Sequence, residues 1–292
     1  MISDVEGFLA DLQLSRRSPH TIQNYKYLLN KFFRSCPKQR AIDVTIDDMR
    51  RFLLDNQTLK NNTYCVYVAA LKMFFEYSNP PLFEWMHRNV NAKLEEVETV
   101  PLTKEQLFAL AEDFKAHARP KWLANVWECL HWFIAACGSR IGETIALNME
   151  DLTFEDGLFK IRFRAATTKT GKKREPFIAR SSYSGAILHN YIQKYRKDAK
   201  SNAPLFIGRD GGRLHCNRIE VKYQEARKRL NIKSRCTPHV LRHTYVTFLR
   251  HRKVPLEDVS KITGHSELML LKTYSHSSED DRKNVARKHQ IV

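Results

Sequence analysis

The sequence predicts a mainly α-helical protein with a small antiparallel β-sheet, an α+β chain in which an N-terminal helical bundle precedes a mixed second domain. Three observations lead there. Apolar residues recur at helical spacing along most of the chain. One stretch, Leu158-Phe159-Lys160-Ile161-Arg162-Phe163-Arg164, instead alternates apolar with basic residues, which is the period of a strand. Between Asn89 and Val100 the aromatic residues disappear and the segment turns acidic, just ahead of a fresh helix start at Pro101-Leu102-Thr103, which marks a linker. At 292 residues the chain is long enough for two ordinary domains whose cores need no disulfide staples. The expected limits are a first domain over 1–89, a linker over 90–100 and a second domain over 101–292.

Within the first domain an opening helix places Val5, Phe8, Leu9 and Leu12 on one face. A second begins at Ser18-Pro19, an N-cap followed by proline at the first helical position, and carries Tyr25, Leu28, Leu29, Phe32 and Phe33. A third follows Thr45, where Asp47 and Asp48 suit the positive end of a helix dipole. A fourth runs from Asn62 to Tyr77 and is expected to stop at Asn79-Pro80-Pro81. The second domain opens with helices, the clearest from Trp122 through Trp132 and Ile134 toward Ala146. The strand at Leu158 follows the turn-like Asp156-Gly157, and Thr170-Gly171 supplies a second turn before Pro176-Phe177-Ile178, giving a small antiparallel sheet. Helices then resume, interrupted by the loop Gly208-Arg209-Asp210-Gly211-Gly212.

The 49 Lys and Arg against 32 Asp and Glu give a formal charge of +17, which draws a protein toward phosphate polymers or anionic membranes. There is no apolar run of roughly 18 residues, no signal peptide and no lipidation motif, so nucleic acid is the expected partner and a membrane is not. The stretch from Met1 to Glu95 holds 13 of the basic and 10 of the acidic residues, so most of the positive charge belongs to the second domain. Cys36, Cys65, Cys129, Cys137, Cys216 and Cys236 are scattered without CxxC pairs and read as reduced thiols of a cytoplasmic protein. No HExxH or comparable histidine pair occurs among the 12 histidines, so no metal and no cofactor is assigned.

Four stretches carry the chemistry, in this order: Cys137-Gly138-Ser139-Arg140-Ile141-Gly142-Glu143, Thr168-Lys169-Thr170-Gly171, His239-Val240-Leu241-Arg242-His243-Thr244, and Gly264-His265 with Tyr274 nine residues on. In these residues the sequence resembles the tyrosine recombinase and integrase family, the phage integrases, and within it the Xer-like two-domain form. The family signature is an arginine in a Gly-x-Arg-Ile-x-Glu helix start, a lysine on a β-hairpin, His-x-x-Arg, Gly-His and a C-terminal tyrosine. Arg140, Lys169, His239, Arg242, His265 and Tyr274 match its six catalytic positions. The likeness spans nearly the whole chain, since Ser18-x-x-Thr21 and Tyr25 resemble the family's SAM-like core-binding domain. It departs at Ser139, Gly142 and Thr263, none of which removes a reactive group.

The resemblance implies an enzyme that breaks and rejoins DNA without metal or ATP, and the physical chemistry gives each residue a task. Phosphodiester transfer builds negative charge on the non-bridging oxygens, and the planar forks of Arg140 and Arg242 match two of them; alternatively both merely grip the DNA backbone. Glu143, one helical turn after Arg140, can hold it by an i,i+3 contact, or be an ordinary surface ion pair. Thr237-Pro238 puts His239 and Arg242 on the opening turn of a helix, where the dipole attracts phosphate, and by resemblance His239 accepts the tyrosine proton. A tyrosine hydroxyl has an ordinary pKa of about 10, so Tyr274 needs a proton acceptor and nearby positive charge, for which His239, His265 and the arginines are the candidates. Lys169 is the general acid for the departing 5′-oxygen by resemblance, with Lys172 and Lys173 on the same turn as phosphate contacts.

A duplex clamped between two domains, four subunits on two DNA sites and strand exchange through a Holliday junction are what the family likeness implies. The tail from Ser277 to Val292 either docks on a neighbouring subunit or is a solvated helix. The chain starts almost directly at the core-binding domain, which is expected to leave no separate arm-binding domain. Two other functions fit parts of the pattern: a type IB topoisomerase-like enzyme that relaxes supercoils, and an accessory DNA-binding protein that has lost catalysis.

Overall fold

The computed structural model describes residues 3–95, 99–168 and 171–274, in two compact units, Met1–Glu98 and Thr99–Val292. The first is all helix: α1 (Ser3–Leu14), α2 (Pro19–Ser35), α3 (Ile46–Asp55), α4 (Asn61–Ser78) and α5 (Pro80–Asn89). The local signals work as read. Ser18 accepts from Thr21 N at 3.1 Å, and Thr45 and Asp48 form a reciprocal cap at the start of α3. Its core is aromatic, with Phe32 edge-on to Phe52 and Phe75 at centroid separations of 4.9 and 5.6 Å. Val5, Leu29, Met49 and Leu71 fill the space around those rings.

Helix α4 stops at Asn79-Pro80-Pro81 as expected, and α5, which begins at the same residues, is an addition. Those prolines occupy the first turn of a new helix, where their missing N–H groups cost nothing. Asn79 makes the join: its side chain accepts from Leu82 N at 3.3 Å while its Nδ2 donates to the carbonyls of Ala41 and Val44 at 3.0 and 3.1 Å.

The second unit is built around α7 (Leu123–Cys137), which packs against α6 (Lys104–His117) and buries Val126, Leu130, Phe133 and Ile134 almost completely. The expectation that this helix continues toward Ala146 is overturned. It ends at Cys137, because Gly138 takes the left-handed conformation at φ 58° and turns the chain into a separate short helix, α8 (Ile141–Ile145).

Three antiparallel strands follow, β1 (Leu152–Glu155), β2 (Leu158–Ile161) and β3 (Phe177–Ala179), in spatial order β1-β2-β3. The mainly α chain with a small antiparallel sheet is therefore as predicted, with β1 as an addition. That strand's residues are mostly exposed, so it carries no apolar alternation, and only the Asp156-Gly157 turn, with positive φ at both residues, announces its pairing with β2. Beyond β2 the hairpin continues as a bridge between Phe163 and Arg174.

After the sheet come α9 (Tyr183–Tyr191), α10 (Cys216–Arg229), α11 (Pro238–His251), α12 (Leu256–Thr263) and α13 (Glu267–Tyr274). Helices α9 and α11 both pack on α7, while α11, α12 and α13 share a small cluster of Val246, Val259 and Leu270. Among the described residues no helix is long and apolar enough to cross a membrane.

Candidate active site

Arg140 stands at the N-cap of α8, where its own side chain cannot cap the helix, and Glu143 completes the turn from the other direction. The Glu143 carboxylate accepts from Arg140 N at 3.1 Å and from Arg140 Nη1 at 2.9 Å. With its side chain only 2 % exposed, Glu143 holds both the backbone and the guanidinium of Arg140. The Arg140 side chain itself is 24 % exposed, so it still presents donors outward.

Arg242 comes to the same place from α11. Thr237 caps that helix by accepting from Val240 N at 3.3 Å, and Pro238 fixes its first turn, so His239 and Arg242 follow three residues apart on one face. Arg242 is 1 % exposed and donates from Nη1 to two carbonyls, Gly138 O and Thr263 O, both at 2.7 Å. Its Nη2 and Nε lie 3.1 and 3.3 Å from the two ring nitrogens of His265. The carbonyl of Thr263 is available because α12 ends there: Gly264, at φ 70°, closes the helix in the left-handed conformation and turns His265 back toward α11.

Burial, reinforced by the neighbouring guanidinium groups of Arg242 and Arg140, lowers the His265 pKa from 6.5 to about 3. His265 is thus a neutral hydrogen-bonding group, which corrects its reading as a possible source of positive charge for the tyrosine. His239 is exposed on the first turn of α11, close enough for its charge to bear on both His265 and His243. Lys172 and Lys173 are exposed on the β2–β3 hairpin. Lys169 lies outside the described residues. Tyr274 is the last residue of α13, and its side chain and the tail from Ser277 also lie outside them.

One participant was missed. Arg174, with a side chain 5 % exposed, pairs with Glu143 through Nη2, donates from Nη1 to Thr263 O at 3.1 Å and lies over the Phe163 ring at 4.3 Å. In sequence it ends the basic run Lys172-Lys173-Arg174 and looks like solvated charge. The signal was the strand register, since Arg174, Pro176 and Ile178 are buried while Glu175 and Phe177 are exposed. Arg140, Glu143, Arg174, Arg242 and His265 are therefore one continuous hydrogen-bonded set, able to present cationic N–H donors and a neutral imidazole to an anionic group.

The family model described as "Phage integrase family" matches residues 101–281, well over half of the chain. The chain belongs to the phage integrase family. A second model, "Phage integrase, N-terminal SAM-like domain", matches residues 5–79. Phage integrase relatives along nearly the full length include tyrosine recombinase XerC of Chlamydia caviae, 26 % identical over 310 residues and covering 95 % of each chain. Tyrosine recombinase XerA of Pyrococcus horikoshii is 24 % identical over 305 residues, covering 99 % of this chain and 95 % of its own. Among solved structures, XerH recombinase in a post-cleavage complex with palindromic difH superposes with a TM-score of 0.71 at 20 % identity, covering 91 % of this chain and 79 % of its own. The Tn1549 transposon integrase bound to circular intermediate DNA gives 0.70 at 17 % identity over 99 % of this chain and 100 % of that one. A lambda integrase tetramer on a Holliday junction gives 0.67 at 14 % identity, covering 90 % and 76 %.

Proposed function

We propose that this phage integrase family member is a site-specific tyrosine recombinase that cleaves and rejoins duplex DNA through a 3′-phosphotyrosyl link at Tyr274. The observation that carries the reading is the connected set of Arg140, Glu143, Arg174, Arg242 and His265, in which three guanidinium groups are linked through the Glu143 carboxylate and the Thr263 carbonyl. In this reaction the Tyr274 oxygen attacks phosphorus, its proton passes to His239, and the bond from phosphorus to the 5′-oxygen breaks as Lys169 protonates that oxygen. Arg140 and Arg242 neutralise the charge that grows on the non-bridging oxygens, and His265, whose two ring nitrogens face Arg242, holds that guanidinium in place. Each broken phosphodiester is replaced by a phosphotyrosyl ester, so a 5′-hydroxyl can reverse the step without ATP. Cleavage and rejoining are both transesterifications, and the guanidinium pair supplies the cationic charge that a metal ion would otherwise provide.

The same reading assigns duplex DNA held by a core-binding domain over 1–89 and a catalytic domain over 101–292, joined by a linker over 90–100. Lys172 and Lys173 contact phosphates. Four subunits join two DNA sites, exchange strands through a Holliday junction and link through the tail that follows Ser277, in the cytoplasm at the nucleoid. The DNA-bound and tetrameric assemblies of the structural neighbours support this assembly.

The deciding experiment traps SDS-resistant adducts on nicked duplexes from DNA flanking the gene, with wild type and Tyr274→Phe side by side. Wild type alone should be trapped, on a 3′-phosphate, and trapping should survive EDTA. Adducts with both proteins would remove Tyr274 from its role, and loss on chelation would sink the metal-independent mechanism.

A further inference from the structure

The geometry points to Arg174 as a positioning residue that ties the two phosphate-binding arginines to each other. The inference rests on the recombinase reading and deepens it, since none of the expected catalytic positions includes Arg174. Its guanidinium fork has two ends, and each end meets a group that is already the partner of one arginine. Nη2 meets the Glu143 carboxylate, whose other oxygen accepts from Arg140 Nη1 at 2.9 Å. Nη1 meets Thr263 O at 3.1 Å, the same carbonyl that accepts from Arg242 Nη1 at 2.7 Å. One side chain from the hairpin thus spans the start of α8 and the end of α12, fixing the spacing of Arg140 and Arg242.

Stability alone is a poor account of this arrangement. A buried ion pair is roughly matched in stability by packed apolar side chains, whereas a planar fork with two separate partners adds a fixed geometry. The surroundings are shaped to hold that plane. Phe163 lies under the guanidinium at 4.3 Å, and a Cβ added to Gly264 would meet Arg174 Cδ and Nε at 3.3 Å. Gly264 therefore leaves the room that the Arg174 side chain occupies. A lysine here keeps the charge and most of the stem, but its single ammonium cannot serve Glu143 and the Thr263 carbonyl in the same plane.

The test compares full-length wild type, Arg174→Lys and Arg174→Met in single-turnover adduct formation on nicked duplex, with DNA affinity and melting temperature measured alongside. Arg174→Lys should bind DNA as wild type does yet form adduct on the order of 10²-fold more slowly, the cost of a misplaced reacting centre. It should stay slow on a duplex whose bridging 5′-oxygen is replaced by sulfur, a leaving group that needs no protonation. An Arg174→Lys rate equal to wild type overturns the inference. Recovery on the sulfur substrate also overturns it, because the defect would then lie in the hairpin lysine and not in the arginine pair. Arg174→Met should be at least as slow; if it fails to fold, Arg174→Lys still decides. Absence of adduct with wild type itself would fault the recombinase reading, a result distinct from either of these.

Discussion

His131 and His265 are both held neutral by the fold, and that makes the second unit sensitive to acid. His131 is 1 % exposed inside α7, with Nδ1 2.9 Å from the Tyr223 hydroxyl, and burial lowers its pKa from 6.5 to about 3. His265 is lowered equally far by burial and by the guanidinium groups beside it. In the unfolded chain both would titrate near 6.5. Below that pH the unfolded state takes up protons that the folded state refuses, so stability present at pH 7 is lost progressively as the pH falls from 6.5 toward 3. For the fully buried His131 the loss at pH 5 is about 2 kcal/mol. Urea midpoints should therefore drop between pH 7 and pH 5, and a flat profile over that range would contradict the burial argument. At the same scale, Glu143→Gln keeps the shape of the carboxylate but removes the charge shared by Arg140 and Arg174. Adduct formation should fall on the order of 10²-fold while DNA affinity holds, as a displaced arginine demands.

Among the secondary-structure elements, two joints should be more fragile than any helix interior. Asn79 serves the end of α4, the start of α5 and the carbonyls of the preceding loop. Asn79→Ala removes a cap and strands buried acceptors, a loss of about 3 kcal/mol by urea denaturation. Gly138 is the second joint. An alanine there would hold φ 58° and place its Cβ 2.5 Å from Tyr245 Cδ1, so Gly138→Ala should lose at least about 2 kcal/mol and slow adduct formation through Arg242, which bonds the Gly138 carbonyl. Gly142→Ala meets open space and should gain about 0.5 to 1 kcal/mol. The joints also mark where the sequence could and could not be read. Ser18, Thr45 and Thr237 were legible as helix starts because a cap is a local event. Asn79-Pro80-Pro81 was legible only as a stop, since the same residues end one helix and begin another. Arg140, Glu143, His239, Arg242 and His265 were singled out through their resemblance to the family's motifs. Arg174 was not, because its burial depends on strand register and its partners lie on α8 and α12, which only the tertiary fold brings near.

For the molecule as a whole, the net charge of +17 makes DNA binding a salt-dependent event. If six to ten phosphates are contacted, affinity should fall roughly 10³- to 10⁵-fold between about 50 and about 200 mM salt. Lys172→Ala and Lys173→Ala should each reduce the slope of log affinity against log salt by about 1, with little change in sequence preference. An unchanged slope would remove those lysines from the DNA interface. A different consequence follows from the shared acceptor at Thr263. Every amino acid supplies a backbone carbonyl, so the bonds from Arg174 and Arg242 ask nothing of the residue type at 263, but the buried Thr263 hydroxyl donates to Val259 O at 2.7 Å and lies 2.9 Å from His265 Nδ1. They ask a great deal of the following position, where only glycine combines the left-handed turn with room for Arg174. Over generations the first of these neighbours should keep a hydroxyl while the second is pinned to glycine, and a saturation library of the two codons selected for recombination should return threonine or serine beside an invariant glycine.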